Sequence, residues 1–232
     1  MAPTPLSRCL GLDAGGVVLE ADLLLPPQPR GLVVIAHGSG SGRHSPRNRL
    51  VADRLRRCGL ACLLVDWLTP AEATIGSSRG APPPELEDLA GRMVALIDRL
   101  PQGAAGALAN LNLGLFGAST GAAIALMAAA ARPGRVRALV SRGGRPDLAQ
   151  HQLAAVQSPT LLLVGGHDPV VLDLNRRAAS QLGGPCRLLV IPTAGHLFEE
   201  AGCLDQVAAA TATWFLDHLA HQRVEPSARH GQ

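Results

Sequence analysis

Short apolar runs separated by amphipathic stretches set the pattern of this chain. Residues 31–36 (GLVVIA) read as a strand buried on both faces and 60–65 as a second buried strand, and 113–116, 136–140, 160–164 and 188–191 read as further strands. Residues 17–25 alternate loosely and stop at Pro26-Pro27, which predicts an N-terminal strand. Between these runs, residues 46–58, 85–100, 122–131, 170–182 and 204–219 read as helices, several of them ended by Pro or Gly. Residues 67–84 contain Pro and Gly without a sustained period and predict a loop or a small cap. Alternation of buried strands with helices predicts an α/β fold, a mostly parallel central sheet with helices on both faces and a minimal cap. No repeat or linker interrupts the pattern, so residues 1–232 are expected to form one domain, with 221–232 as a flexible polar tail.

Composition narrows this picture. Hydrophobic residues make up 47% and charged residues 17%, enough for a sizeable core and unlike a disordered chain. Aromatics are only 2%, so small aliphatic residues and Gly must fill the interior. The net charge is +3, and all 21 basic residues are Arg, scattered without a run. That dispersion argues against a nucleic-acid partner, which needs a concentrated basic face. Without Lys, neither a pyridoxal Schiff base nor a Gly-Lys-Ser/Thr phosphate loop is available. No apolar stretch is long enough to span a membrane, and the first sixteen residues lack a signal-peptide pattern. Five cysteines form no C-x-x-C pair, which points to free thiols and a cytoplasmic location.

Candidate chemistry clusters at the ends of predicted strands. Gly117-Ala118-Ser119-Thr120-Gly121 is G-x-S-x-G, set directly between a strand and a helix. That placement is a nucleophile elbow, in which a tight turn lifts a serine hydroxyl above the sheet edge. A serine needs a base. His196, in the loop after the last predicted strand, follows Ser119 in the expected chain order, whereas His37 precedes it and His218, His221 and His230 lie in the last helix or tail. Asp168, directly after the 160–164 strand, is the candidate that orients the base; Asp147, one strand earlier, is its rival, with Arg142 and Arg145 nearby to neutralise it. Backbone N–H groups of Ser39 and Thr120 are the candidate oxyanion donors, with Gly40 as the second choice in the first loop. Gly40, Arg142 and Leu197 are candidate substrate contacts; Arg43, Arg47 and Arg142 are either anion contacts or structural ion pairs.

The glycine loop 37–43 followed by Asp66 imitates a dinucleotide-binding fold. Its spacing fails, because the third glycine position falls on Arg43 or Ser45.

Together HGSGSG, GASTG, GGHD and AGHLF resemble the dienelactone hydrolase-like branch of the α/β-hydrolases, over about residues 17–219. The resemblance is greatest to small bacterial members, some of them fused to a phosphoribosyltransferase domain that this sequence lacks. It implies a hydrolase without metal or cofactor, acting on a small-molecule ester or lactone. Dienelactone hydrolases proper carry Cys where this chain has Ser119, which shifts the expectation to carboxylesterase chemistry on short-chain esters. An acyltransferase and a non-catalytic binding protein are the other classes on the same fold. A homodimer is an open alternative to a monomer.

Overall fold

The structure, a computed structural model, describes residues 6–75, 84–100, 108 and 110–220. Eight strands form one sheet in the order β1-β2-β4-β3-β5-β6-β7-β8. Strands β3 (Leu32–Ala36), β4 (Ala61–Val65), β5 (Leu113–Ala118), β6 (Val136–Arg142), β7 (Thr160–Gly165) and β8 (Cys186–Ile191) run parallel. The apolar runs of β3 to β7 reflect burial on both faces, whereas β8, at the sheet edge, is only partly buried. Strand β2 (Val18–Leu25) joins β4 antiparallel, and β1 (Leu6–Asp13) joins β2 antiparallel at the edge.

Helices α1 (Pro46–Arg57) and α6 (Cys203–Leu219) cover one face; α3 (Leu86–Arg99) and α4 (Thr120–Ala131) cover the other, and α5 (Pro169–Ala179) packs on β7 and β8. Each face has its own core. Val33, Ile35, Phe116 and Val140 point to α1 and α6, whereas Val34, Leu115 and Leu139 point to α3 and α4. Helix α4 is buried from Gly121 to Ala129, and its alanines allow the close packing that a chain with few aromatics requires.

Two elements differ from the sequence reading. Strand β1 was not expected, because Arg8, Gly11 and Asp13 break its pattern; it forms because β2 offers an unpaired edge on which Leu10 and Leu12 half-bury. The region read as a loop or cap contains a short helix, α2 (Pro70–Ile75). Trp67, expected to belong to that cap, is buried in the core, where its indole N–H donates to Ile35 O at 3.4 Å. Residues 76–83 of the cap region and the 221–232 tail lie outside the described residues.

The sheet order decides where chemistry can assemble. The direction in which successive strands are added reverses between β3 and β5, which are neighbours although β4 separates them in sequence. A crevice forms at the carboxyl ends of strands at such a switch point. The loop after β3 and the turn after β5 meet there.

Candidate active site

Ser119 sits between β5 and α4 with φ 51° and ψ −122°, a left-handed backbone rare for a residue with a Cβ. Such strain costs about 1–3 kcal/mol and persists only where the surroundings enforce it. Here the flanking glycines let them do so. A Cβ on Gly117 would lie 2.4 Å from Ala122 Cα, and one on Gly121 would lie 2.4 Å from Ala36 O. The Ser119 N–H donates to Arg142 O at 3.0 Å, and Ser119 O accepts from Ala122 and Arg145 at 3.1 Å each.

His196 lies in the loop after β8. Its Nδ1 is 2.7 Å from Asp168 Oδ2, and its Nε2 is 3.4 Å from Ser119 Oγ. A carboxylate only accepts, so Nδ1 carries the proton and Nε2 faces the serine hydroxyl with its lone pair. The 3.4 Å separation exceeds an optimal hydrogen bond, as such pairs often do before they engage substrate. Asp168 also caps α5, accepting from the Val171 N–H at 3.3 Å, which fixes its second oxygen. The imidazole side chain is 39% exposed and the carboxylate 15%, so the histidine opens to solvent while its partner is shielded.

Asp147 lies in a short 3-10 turn (Pro146–Ala149) after β6. Arg145 grips it through two bonds of 2.8 and 2.7 Å, and this holds the Asp147 carboxyl below the usual range. The structure therefore brings Ser119, His196 and Asp168 together and leaves Asp147 in an ion pair.

The loop after β3 reaches the same edge. The Ser39 N–H donates to Thr120 Oγ1 at 2.9 Å, and the two hydroxyl oxygens are 3.0 Å apart. The amide expected to face a substrate oxygen is thus engaged by the side chain of the other expected donor residue. A Cβ on Gly38 would approach Ser119 Cβ to 3.0 Å, so the loop lies directly against the elbow. Gly40, at φ +69°, turns the loop outward into open space. Leu197, 43% exposed, stands beside His196.

Several supports were not singled out from sequence. His37 is buried; its Nδ1–H donates to Gly38 O at 2.9 Å and its Nε2 accepts from the Trp67 N–H at 3.3 Å, which anchors the loop from below. Asp66, at the end of β4, accepts from the Arg43 backbone N–H at 2.6 Å and also pairs with the Arg43 guanidinium. Arg43 in addition meets Glu20 at 2.7 Å and Asp22 at 3.5 Å, so it is a structural cation. Glu200 accepts from the Gly195 N–H at 2.9 Å and pins the loop that carries His196; accepted backbone hydrogen bonds, from its own amide and from Gly195, hold its carboxyl below the ordinary value. A Glu four residues after the histidine was the available signal, but only the fold shows what it touches. Among the described residues, no three His, Cys, Asp or Glu side chains are grouped to hold a metal ion. No helix among them is long and apolar enough to cross a membrane.

Comparison with known proteins identifies the family. Residues 29–212 match the alpha/beta hydrolase domain family. The crystal structure of a dienelactone hydrolase from Anabaena variabilis superposes with a TM-score of 0.88 at 46% identity, covering 93% of this chain and 99% of that one. Est1E from Butyrivibrio proteoclasticus shares the fold, with a TM-score of 0.75 at 17% identity over 90% of this chain and 98% of its own. Two Mycobacterium tuberculosis proteins named as phosphoribosyl transferases are 52% identical over 206 residues, which is 89% of this chain and only 45% of each relative. With a family match across most of its length and a near-complete structural relative at 46% identity, the chain belongs to the α/β-hydrolases, in their dienelactone hydrolase-like branch.

Proposed function

We propose that this chain is a serine hydrolase that cleaves carboxylic esters through an acyl-enzyme. One geometry supports the reading most: Ser119, strained at the switch point, faces His196, whose far nitrogen is bonded to Asp168. Ser119 Oγ attacks the ester carbonyl while His196 Nε2 takes its proton, and Asp168 stabilises the resulting imidazolium. His196 then protonates the leaving alcohol. In the second half it removes a proton from water, which attacks the acyl carbonyl and releases the acid.

The tetrahedral oxyanion is held by the N–H groups of Ser39 and Thr120. At rest the Thr120 hydroxyl keeps the Ser39 amide satisfied. Rotation of Thr120 about χ1 hands that amide to the substrate oxygen without moving the loop.

Short acyl chains are the expected substrates, and lactones are the second reading, favoured by the 46% identity to a dienelactone hydrolase. Transfer to an alcohol instead of water uses the same residues. The phosphoribosyl transferase name belongs to relatives of which this chain covers 45%, and the serine–histidine–aspartate line carries acyl chemistry.

Treatment with a fluorophosphonate followed by intact mass tests the assignment. A single adduct on the wild type and none on Ser119→Ala is expected. No adduct on the wild type would favour a binding protein. Rates on p-nitrophenyl acetate, butyrate and palmitate test chain length, and a palmitate preference would refute the short-chain reading. The base must be neutral, so kcat/KM falls toward acid; a rate that stays flat down to about pH 4 would remove His196 from the role.

A further inference from the structure

Helix α5 turns Val171, Leu172, Asn175 and Ala178 into the protein. Three of these are apolar; Asn175 is not, and it is fully buried. Its Nδ2 donates to Val171 O at 2.8 Å, one turn back, and to Gly144 O at 2.9 Å, in the bend after β6. Both amide hydrogens are thereby used, while Oδ1 is buried without a partner among the described residues. Exchanging nitrogen and oxygen would aim Oδ1 at two carbonyl oxygens, so the hydrogen bonds fix the orientation of the amide. A leucine of similar shape would fill the position without an orphaned acceptor. The helix by itself gives no reason for an amide here; the bond to Gly144 does.

Gly144 lies in a strap, residues 143–145, that touches the reacting residues on both sides. The Arg145 N–H donates to Ser119 O at 3.1 Å. A Cβ on Gly143 would lie 3.2 Å from His196 O and 3.6 Å from His196 Cε1. Just before the strap, the Arg142 carbonyl accepts the Ser119 N–H, while the Arg142 side chain is itself buried. The strap is wedged against β6 and α4, where a Cβ on Gly144 would overlap Ser141 Oγ and lie 2.6 Å from Ala122 Cβ. At the other end of the same linkage, α5 carries Asp168 as its N-cap. The Val171 N–H bonded to Asp168 Oδ1 belongs to the residue whose carbonyl takes Asn175 Nδ2. The contacts therefore close on themselves. Asp168 meets His196, His196 packs on the strap, and Asn175 ties the strap back to the helix that carries Asp168.

We propose that Asn175 is a positioning residue: by pinning the 143–145 strap to α5, it sets the line from Asp168 through His196 to Ser119. It touches none of the reacting atoms. The role rests on the reading of Ser119 as nucleophile and His196 as base. A displacement of about 1 Å in such a line can cost about 10²-fold in rate, so loss of the pin falls on kcat and not on substrate binding.

Two variants test this. Asn175→Leu removes both bonds at nearly constant volume. Asn175→Thr keeps only the bond to Val171 O, because a threonine hydroxyl reaches the carbonyl one turn earlier. Rates on p-nitrophenyl acetate are divided by the number of sites that a fluorophosphonate titrates, so misfolded protein is not counted. Both variants should lower kcat per site about tenfold or more and leave KM within about twofold. The proton NMR resonance of the His196 Nδ1–H gives a readout without substrate. Its bond to Asp168 holds it downfield in the wild type, and in Asn175→Leu it should move upfield or broaden away through exchange with water. Ala178→Gly weakens the same helix away from the strap and should move neither readout. A kcat per site within about twofold of the wild type in both variants, or an unmoved resonance, overturns the role. Equal effects from Ala178→Gly would assign the loss to the helix as a whole and also overturn it. If the wild type neither hydrolyses the ester nor takes the fluorophosphonate, the esterase reading fails, and the resonance in Asn175→Leu still decides whether Asn175 positions His196.

Discussion

The loops after β6 and β7 leave the same edge of the sheet, each with an aspartate, and they use it differently. Asp147 is closed off by Arg145 two residues earlier, a local pair that needs nothing from the rest of the fold. Asp168 turns one oxygen to its own helix and the other across 28 residues to His196. A carboxylate paired with a fixed cation has no capacity to follow a change of charge elsewhere. A carboxylate paired with a titratable imidazole stabilises charge only when the imidazole acquires it.

The largest effect that probes this contrast is expected from Asp168→Asn. It should lower kcat on p-nitrophenyl acetate about 10³- to 10⁴-fold, because an amide can hold the wrong tautomer of His196. A loss below about tenfold would mean that another group orients the base. Glu200→Gln acts on the same loop through the Gly195 amide and should cost about three- to tenfold in kcat, with little change in KM. Asp147→Asn should leave kcat within about threefold and lower stability by about 1 kcal/mol or less, read from urea denaturation. If Asp147→Asn instead matched Asp168→Asn, the contrast between the loops would collapse.

The smallest effect is one of pH and extends the comparison to Glu72. Arg92 holds the Glu72 carboxyl at about 2, well below its ordinary 4.5, through bonds of 2.5 and 2.8 Å. A carboxyl with a lowered folded value contributes its full stability above the unfolded value and loses it as pH falls through the folded one. Glu72→Gln should therefore be less stable than the wild type at pH 7, and the gap should close between about pH 4.5 and 2. The Asp147 pair shifts in the same direction and should behave alike. A gap that persists below about pH 2 would show that the Glu72→Gln change costs packing and not charge.

Much of this was legible in the chain. Five of the six parallel strands announce themselves because burial on both faces leaves apolar runs, and the partly buried edge strand β8 keeps a shorter run, residues 188–191. Ser119 is legible because its turn needs glycine on both sides, and a Cβ at either position would strike backbone. Strand β1 was not, because an edge strand is held by its neighbour and carries little pattern of its own. His37 and Asp66 were not legible as supports, because their partners lie on other elements.

The sequence by itself determined the architecture, the serine turn, and a preference for Asp168 over Asp147, whose neighbouring arginines marked it for an ion pair. Periodicity and local backbone demands are written into neighbouring residues, so they survive without a fold. Tertiary structure alone showed the contact that Asp168 makes with His196, that Thr120 holds the Ser39 amide, and that Arg43 is paired while Arg142 is not. Those distinctions depend on which side chains converge from distant parts of the chain, and on whether a buried charge finds its opposite when they do.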